Sequence, residues 1–276
     1  MTMTDKRRGT DAGSRMHLLD WLASPLFLPA LRAFVAPIGF SIPDNAARRP
    51  GGRHDHREST LVGRNDSFLS RDQQQAVTRW WLVHPARMIP NWDLVVSAVD
   101  ASGAKVLILV EAKAHATELD EAGKLPSIRP TPEEQKRTDD NHDRIAAAIA
   151  EANAALATVV PGISISRDKS YQFANRVAFA WKLASLGVPV ALIYLGFVGD
   201  TAIARPGDCL RASADWQAAF ARHVNSIFAP DNCGRPINCG AASFWLLVET
   251  LEVLRQSPAL DRRRSLARVR HPRGRV

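Results

Sequence analysis

The chain has 276 residues, of which 46% are hydrophobic, and it carries a formal net charge of +8. This length and composition suit one large domain, or one domain with appendages, and provide ample apolar material for a buried core. We expect no membrane span, because the longest apolar run, residues 188–198, has about half of the ~20 residues that crossing a bilayer requires.

The cysteines and the N-terminus together predict a cytoplasmic protein. The three cysteines form no CxxC pair, and an odd number fits reduced thiols better than disulfides or a zinc site. The N-terminal apolar segment, residues 18–40, contains Asp20, Arg32 and three prolines and has no clear small-residue cleavage site. A signal peptide is therefore not expected.

The positive charge is concentrated at the ends of the chain. Residues 255–276 contain eight arginines and one aspartate, whereas the central part is slightly acidic. We predict a helical segment and linker over residues 1–58, the main domain over residues 59–257 and an arginine-rich tail over residues 258–276. The tail either holds phosphate groups nonspecifically or is a disordered solubilising segment, and the sequence favours neither.

The first predicted elements are helical. One or two helices, interrupted by prolines, cover residues 18–34, and a turn-rich linker covers residues 43–56. Ser70 then caps a helix over residues 71–84. The apolar residues of this helix recur at helical spacing and form one stripe, which comprises Ala76, Val77, Trp80 and Trp81. We interpret its tryptophans, and Trp181 further on, as core residues rather than as platforms for stacking bases.

A β-hairpin is predicted next. Its strands cover residues 92–99 and residues 106–110, with turn-forming residues between them, and the second strand leads into Glu111. The unbroken apolar runs indicate strands that are covered on both faces. If the hairpin is centred on Ser102, each residue faces the partner that lies equally far from the centre, so that Asp93 faces Glu111.

The hairpin brings three charged side chains onto one face of the predicted sheet. Asp93 and Glu111 become direct cross-strand neighbours, with Cβ atoms about 4.5–5.5 Å apart. Lys113 lies two residues after Glu111 and shares its face, whereas Ala112 points the other way. Two carboxylates and an ammonium in this arrangement predict a divalent-metal site with an attached water activator.

The rest of the chain predicts alternating helices and strands. Thr131 caps a helix start, and an alanine-rich helix follows over residues 143–158 after a kink near Asn141. Ser170 is predicted to cap the next helix. The later elements are a helix over residues 171–186, a central strand over residues 188–197, and helices over residues 215–228 and 243–255. This order predicts an α/β fold, with a mixed central β-sheet flanked by helices.

The charged cluster suits the hydrolysis of a phosphodiester. A hard cation such as Mg²⁺ (or Mn²⁺), held by a few oxygen ligands and left partly hydrated, offsets the charge that develops and supplies a nucleophile. Asp93 and Glu111 provide two ligands, and the backbone carbonyl of Ala112 provides a third. Lys113 then orients the attacking water, helps to remove its proton or stabilises the charge that forms.

These residues resemble the PD-(D/E)xK phosphodiesterase superfamily, also called restriction-endonuclease-like. The matching pattern is Asp93 followed by Glu111-Ala112-Lys113 on a hairpin, with a helix before it and a helix and a strand after it. Strings similar to those of a largely uncharacterised bacterial branch lie at residues 171–176, 187–189 and 194–197. The resemblance implies a restriction-endonuclease-like core, Mg²⁺ dependence and the cleavage of nucleic acid. Our first hypothesis is a metal-dependent nuclease that acts on DNA.

The resemblance also assigns residues outside the hairpin. In many members the helix after the hairpin contributes a polar residue to catalysis, and here Gln172 is the candidate. Asn175 and Arg176 lie beside it at helical spacing and are candidate nucleic-acid contacts, with a solvated first turn as the alternative. His115 is a candidate phosphate contact, a general base or an exposed loop residue.

Two other functions stay open. The first is a catalytically weak or inactive nucleic-acid-binding module on the same fold, with affinity supplied by the arginine tail. The second is an α/β interaction protein in which Asp93, Glu111 and Lys113 form only a salt-bridged cluster. A homodimer is also open, because dimers are common where two strands must be cut.

Overall fold

A computed structural model describes residues 13–63, 67–86, 89–200 and 209–253. Within these residues a mixed sheet of six strands lies between two layers of helices. The predicted α/β class, with a mixed sheet flanked by helices, is therefore confirmed. The arginine-rich tail predicted for residues 258–276 lies outside the described residues.

The sheet has a parallel centre and antiparallel edges. Its strands are β1 (Arg48–Arg49), β2 (Leu94–Val99), β3 (Lys105–Lys113), β4 (Val190–Val198), β5 (Ile237–Asn238) and β6 (Ser243–Glu252). Their order across the sheet is β1-β2-β3-β4-β6-β5. Strands β3, β4 and β6 run parallel, whereas β2 runs antiparallel to β3 and β5 to β6. Every residue of β4 is buried, as expected for a parallel strand covered on both faces.

The helices divide unequally between the two faces of the sheet. They are α1 (Gly13–Ala23), α2 (Phe27–Val35), α3 (Arg71–Trp81), α4 (Pro132–Leu156), α5 (Tyr171–Ser185) and α6 (Ser213–Val224). Helices α3 to α6 cover what we call the four-helix face, and α1 and α2 cover the two-helix face. Alternate residues of β4 enter the two cores, with Leu192 and Tyr194 on the four-helix face and Ile193 and Leu195 on the two-helix face.

The N-terminal part of the chain packs directly on the sheet. Residues 18–34 form two helices, as predicted, and they bury Leu18, Trp21 and Leu31 against the two-helix face. The stretch predicted as a linker contributes β1, which pairs with β2. No single helix in the described ranges is long and apolar enough to cross a membrane, although α1 and the stretch Phe27–Ile38, bent by 105°, pass that test together on length and composition only.

The hairpin has the predicted register. Leu94 pairs with Val110 at one end of the ladder and Val99 pairs with Lys105 at the other. The turn is closed by the N–H of Asp100, which donates to the carbonyl of Ala104 over 3.0 Å. Asp93 therefore stands at the position that faces Glu111, one residue beyond the last paired residue of β2.

The helix predicted over residues 243–255 is wrong in its described part, because residues 243–252 form strand β6. It pairs in parallel with β4 from Phe244 opposite Val190 to Glu252 opposite Val198. A short apolar run is compatible with a buried strand or a buried helix. Its aromatic and β-branched residues favour a strand, and pairing satisfies the backbone of β4, which would otherwise form an exposed edge.

The helix caps are partly as predicted. The side chain of Ser70 accepts a hydrogen bond from the N–H of Gln73 over 3.2 Å, and Thr131 accepts one from the N–H of Glu134 over 3.2 Å. Both predicted caps are confirmed. Helix α3 ends at Trp81, short of the predicted residue 84, and α4 is one continuous helix without a break near Asn141.

The cap predicted at Ser170 is wrong. Its side chain makes no capping hydrogen bond, and its backbone is left-handed, with φ of +45°. The loop that follows β3 satisfies the start of α5 instead. The N–H of Ser170 donates to the carbonyl of Glu121 over 2.8 Å, and the N–H of Tyr171 donates to the carbonyl of Ala122 over 3.0 Å.

The predicted core role of the tryptophans is confirmed. Trp81 is fully buried, and Trp80 and Trp181 are nearly so. The rings of Trp80 and Trp81 lie 5.3 Å apart between centroids, and both rings contact Phe179 of α5. Base stacking on these rings is therefore blocked by the packing of α3 against α5.

Candidate active site

The end of β3 places the predicted charged residues on the four-helix face. Glu111 and Lys113 follow Leu107 and Leu109 on that face, whereas Ala112 packs in the core of the two-helix face. Asp93 Oδ2 accepts a hydrogen bond from the N–H of Ala112 over 2.8 Å. The aspartate side chain thus continues the β2–β3 ladder beyond its last backbone pair.

Lys113 links the strand to helix α5. Its Nζ donates to Glu111 Oε1 over 2.6 Å and to Gln172 Oε1 over 2.9 Å. The two acceptors fix the ammonium at the start of α5, where Gln172 lies in the first turn. A lysine ammonium carries three donors, so one N–H of Lys113 remains for another acceptor.

Arg176 holds the other side of the glutamate. Its Nε donates to Glu111 Oε2 over 2.7 Å, and its Nη2 donates to the carbonyl of Asn91 over 2.6 Å. The guanidinium lies 4.5 Å from the centroid of the Trp92 ring, in cation–π contact. Asn175 Oδ1 accepts from Nη1 of Arg176 over 3.1 Å. The guanidinium is thus fixed on every side.

The members of this cluster differ in their access to solvent. Glu111 is 1% exposed and Lys113 is 4% exposed, whereas Asp93 and Gln172 are only partly buried. Asn175 and Arg176 are buried, so the alternative of a solvated first turn is wrong for these two residues. Solvent therefore reaches the cluster on the side of Asp93 and Gln172.

The two carboxyl groups have opposite pKa shifts. Burial, followed by the negative charge of Glu111, raises the pKa of Asp93 to about 7. Burial also disfavours the charge of Glu111, but the neighbouring cations Arg176 and Lys113 outweigh this and lower the pKa of that carboxyl. Glu111 is therefore an ion at neutral pH, and Asp93 exchanges its proton near neutrality.

His115 is not brought into the cluster. It lies two residues beyond Lys113 and is partly exposed, and its Nδ1 is 3.2 Å from the carboxylate of Glu118. Its backbone forms an isolated bridge with Cys209. The remaining predicted site residues are gathered together: Asp93, Glu111, Ala112, Lys113, Gln172, Asn175 and Arg176.

Sequence reasoning missed three residues that surround the cluster. Trp92 lies under the guanidinium of Arg176, and Tyr194 is the partner of Glu111 across the β3–β4 ladder. His223 of α6 is buried, and burial lowers the pKa of its imidazole, with the positive charge of Lys113 acting in the same direction. Tyr194 follows from the sequence only once the parallel register of β4 is known.

The donor set fits a hydrated hard cation. Among the described residues no group of three or more histidine, cysteine, aspartate or glutamate side chains gathers. Mg²⁺, however, usually binds one or two carboxylates and keeps several waters, and Asp93 and Glu111 are two such carboxylates. The carbonyl of Ala112 leaves the strand on the same edge as its N–H, which points at Asp93.

Comparisons of this chain with protein families, with curated proteins and with solved structures find no match. Its function is therefore inferred from the geometry of its own residues. Asp93, Glu111 and Lys113 carry that inference, because they converge at one strand end beside a partly open surface.

Proposed function

We propose that the protein is a metal-dependent phosphodiesterase, a nuclease that hydrolyses nucleic acid, with DNA favoured as the substrate. The observation that carries the proposal is the gathering of Asp93, Glu111 and Lys113 on one sheet face, with Gln172 holding the lysine. The proposal includes a restriction-endonuclease-like core, which the helix, hairpin, helices and parallel strand from α3 to β4 support.

The metal would be held by Asp93, Glu111 and the carbonyl of Ala112. Each oxygen of Glu111 accepts one hydrogen bond, and a carboxylate oxygen has a second lone pair for a cation. The raised pKa of Asp93 supports this site, because burial and, after it, the charge of Glu111 disfavour the ionised carboxylate, and a bound cation would favour it. When bound, Mg²⁺ or Mn²⁺ supplies charge neutralisation at the phosphate and a more acidic water.

The residues of the chain divide the remaining work. In hydrolysis the water oxygen bonds to phosphorus, and the bond from phosphorus to the leaving ester oxygen breaks. Lys113, held by Glu111 and Gln172, orients the water or offsets the charge that grows on the phosphoryl oxygens. Arg176 keeps Glu111 ionised and fixed in place.

The decisive experiment compares wild type with Lys113→Ala on plasmid and linear DNA in Mg²⁺ or Mn²⁺. Loss of a positioned acid–base or charge-stabilising group is expected to slow cleavage by about 10²–10⁴-fold. Lys136→Ala is the matched control, because Lys136 lies on α4 with its side chain 75% exposed and pairs only with Asp140 among the described residues. It is expected to cleave at the wild-type rate.

Circular dichroism of each variant separates loss of chemistry from loss of fold. Chelation of the metal is expected to stop cleavage by the wild type. A wild-type protein that cleaves no nucleic acid with either metal, or that cleaves in the presence of a chelator, contradicts the proposal. Equal slowing in Lys113→Ala and Lys136→Ala contradicts the assigned role of Lys113.

A second candidate is a nucleic-acid-binding module without catalysis. It is favoured by one observation, namely that both oxygens of Glu111 are already hydrogen-bonded to cations of the chain, Lys113 and Arg176. A cluster neutralised in this way has less need of a metal. The module would bind DNA with the same affinity with and without Mn²⁺ and would cleave none.

A further inference from the structure

Tyr194 occupies a special position beside the proposed site. It lies on β4 and is the partner of Glu111 across the parallel β3–β4 ladder. Directly paired residues of neighbouring strands project onto the same face, which here is the four-helix face. Tyr194 is 1% exposed, so its phenol is enclosed with the charged cluster.

The hydroxyl of Tyr194 has no hydrogen-bond partner among the described residues. Glu111, its cross-strand partner, accepts hydrogen bonds from Lys113 and Arg176 and none from the phenol. A buried hydroxyl without a partner destabilises a fold by the cost of its lost hydration. The hydroxyl of Tyr194 therefore does not stabilise the fold.

The ring of Tyr194 is held in place by aromatic contacts. Its centroid lies 5.6 Å from that of Phe173 on α5 and 5.2 Å from that of Phe220 on α6. Neither phenylalanine offers a hydrogen bond to the hydroxyl. Burial, followed by the charge of Glu111, raises the pKa of Tyr194 well above its ordinary value. The phenol thus stays protonated and remains a donor at neutral pH.

The phenol lies on the same face of the sheet as Glu111, within range of the charges of the cluster. The charges of Glu111, Arg176 and Asp93 all act on its ionisation, and the phenol in turn acts on the ionisation of Arg176. Glu111 and Asp93 are the carboxylates proposed to hold the metal. A buried hydroxyl near them that has no partner is available to donate to an oxygen atom bound there.

We infer that Tyr194 is a further catalytic residue, whose hydroxyl donates a hydrogen bond to an oxygen bound in the site. That oxygen belongs either to a water that hydrates the metal or to a phosphate of the nucleic acid. The inference rests on the proposed function. It adds a residue to which the sequence patterns assign no catalytic role and that comes from a strand 83 positions beyond Glu111.

The test is Tyr194→Phe, which removes the hydroxyl and keeps the ring. Calorimetric titration with Mn²⁺ in the absence of nucleic acid reports on the water. Binding of a short DNA duplex in Mn²⁺ reports on the phosphate, measured in a Lys113→Ala background that prevents cleavage. Loss of one hydrogen bond is expected to weaken the affected affinity by about threefold to tenfold. A change in the first titration identifies water as the acceptor, and a change in the second alone identifies phosphate.

Two controls separate this role from packing. Tyr194→Phe is expected to keep or raise the wild-type melting temperature, because it removes a buried group that lacks a partner. Phe220→Leu disturbs the same ring contact and is expected to lower the melting temperature while leaving the Mn²⁺ affinity unchanged.

Unchanged affinities in both arms for Tyr194→Phe overturn the inference, whatever the melting temperature. If the melting temperature of Tyr194→Phe falls while both affinities stay unchanged, the hydroxyl stabilises the fold and does not act in the site. The proposed function fails separately. If the wild type neither binds Mn²⁺ nor cleaves DNA, both proposals are overturned. If the wild type binds Mn²⁺ and cleaves DNA, and Tyr194→Phe has the same affinities, the inference alone is overturned.

Discussion

The two faces of the sheet use the same strand end in different ways. At the end of β3, Ala112 faces the two-helix side among apolar neighbours such as Leu195. One residue to either side, Glu111 and Lys113 face the four-helix side, where they are buried as an ion pair. Burying charges costs free energy that an apolar pair would not cost. The fold therefore does not require a polar cluster at this strand end.

The largest expected effect tests how far the buried charges depend on one another. Glu111→Gln leaves the cations Lys113 and Arg176 without their shared carboxylate. Removing one partner of a buried ion pair costs about 3–5 kcal/mol, and we expect a loss of this size in the free energy of unfolding. Urea denaturation followed by tryptophan fluorescence measures it.

The double variant Glu111→Gln/Arg176→Gln is the control for that loss. It removes one of the two stranded cations and is expected to recover part of the lost stability. If Glu111→Gln is as stable as the wild type, the ion pairs of Glu111 do not stabilise the fold, and the expected difference between the two faces is wrong.

The next effect concerns the close contact that shapes the four-helix face beside Lys113. Gly196 is the partner of Lys113 on β4, and a Cβ added to it would lie 2.4 Å from the indole of Trp216 on α6. Gly196→Ala is therefore expected to cost about 1–3 kcal/mol through overpacking. Thermal unfolding checks this. Gly240→Ala is the comparison variant. Its added Cβ meets no atom, but its φ is positive, so it measures the cost of backbone strain without a clash.

The stability of the protein is expected to depend on pH through Asp93, beside Glu111 in the charged cluster. The folded-state pKa of Asp93 is about 7, above its ordinary 3.8. The folded protein therefore binds the proton of Asp93 more tightly than the unfolded chain does. The stability that this proton contributes is fully present below about pH 4 and is lost as the pH rises through about 7. The wild type is expected to lose about 1–2 kcal/mol relative to Asp93→Asn between pH 5 and pH 8, less than the full shift implies because Asp93 is partly exposed.

The same carboxyl controls metal affinity. Since the metal requires ionised Asp93, affinity for Mn²⁺ is expected to rise about tenfold from pH 6 to pH 8, as the ionised fraction rises through a pKa of about 7. Calorimetric titration at the two pH values measures this. An affinity independent of pH would show that Asp93 is not a ligand.

The smallest effect belongs to the two-helix face. Ile193→Val removes one methyl group from a fully buried position there and is expected to cost about 0.5–1.5 kcal/mol. Because the neighbours of Ile193 in this core are apolar, the loss is expected to be the same at pH 5 and pH 8. A pH-dependent loss, measured by urea denaturation, would show that the two faces are coupled.

The sequence contains enough to predict the hairpin and its register. The turn residues around Ser102 and the apolar strands on either side define which residues face each other, and Asp93 falls opposite Glu111 as a result. Helix α5, Tyr171–Ser185, also matches the helix predicted over residues 171–186. These features depend on residues close together in the chain, where local rules decide the structure.

The rest depends on distant partners. Strand β6 has a composition that favours a strand only weakly, and its pairing with β4 decides the outcome. The start of α5 is satisfied by the carbonyl of Glu121 rather than by Ser170. Tyr194 joins the site only through the parallel register of β3 and β4. No local pattern contains this information, because tertiary contacts override propensity.

The hydrogen bond from Ala112 to Asp93 gives the site its own built-in indicator. The amide proton of Ala112 is shared with a carboxylate that ionises near pH 7. Its nuclear magnetic resonance frequency will therefore follow the protonation of Asp93, and the arrival of a cation beside that carboxylate, without any added label. A single backbone signal reports on both events at the position where the two strands part.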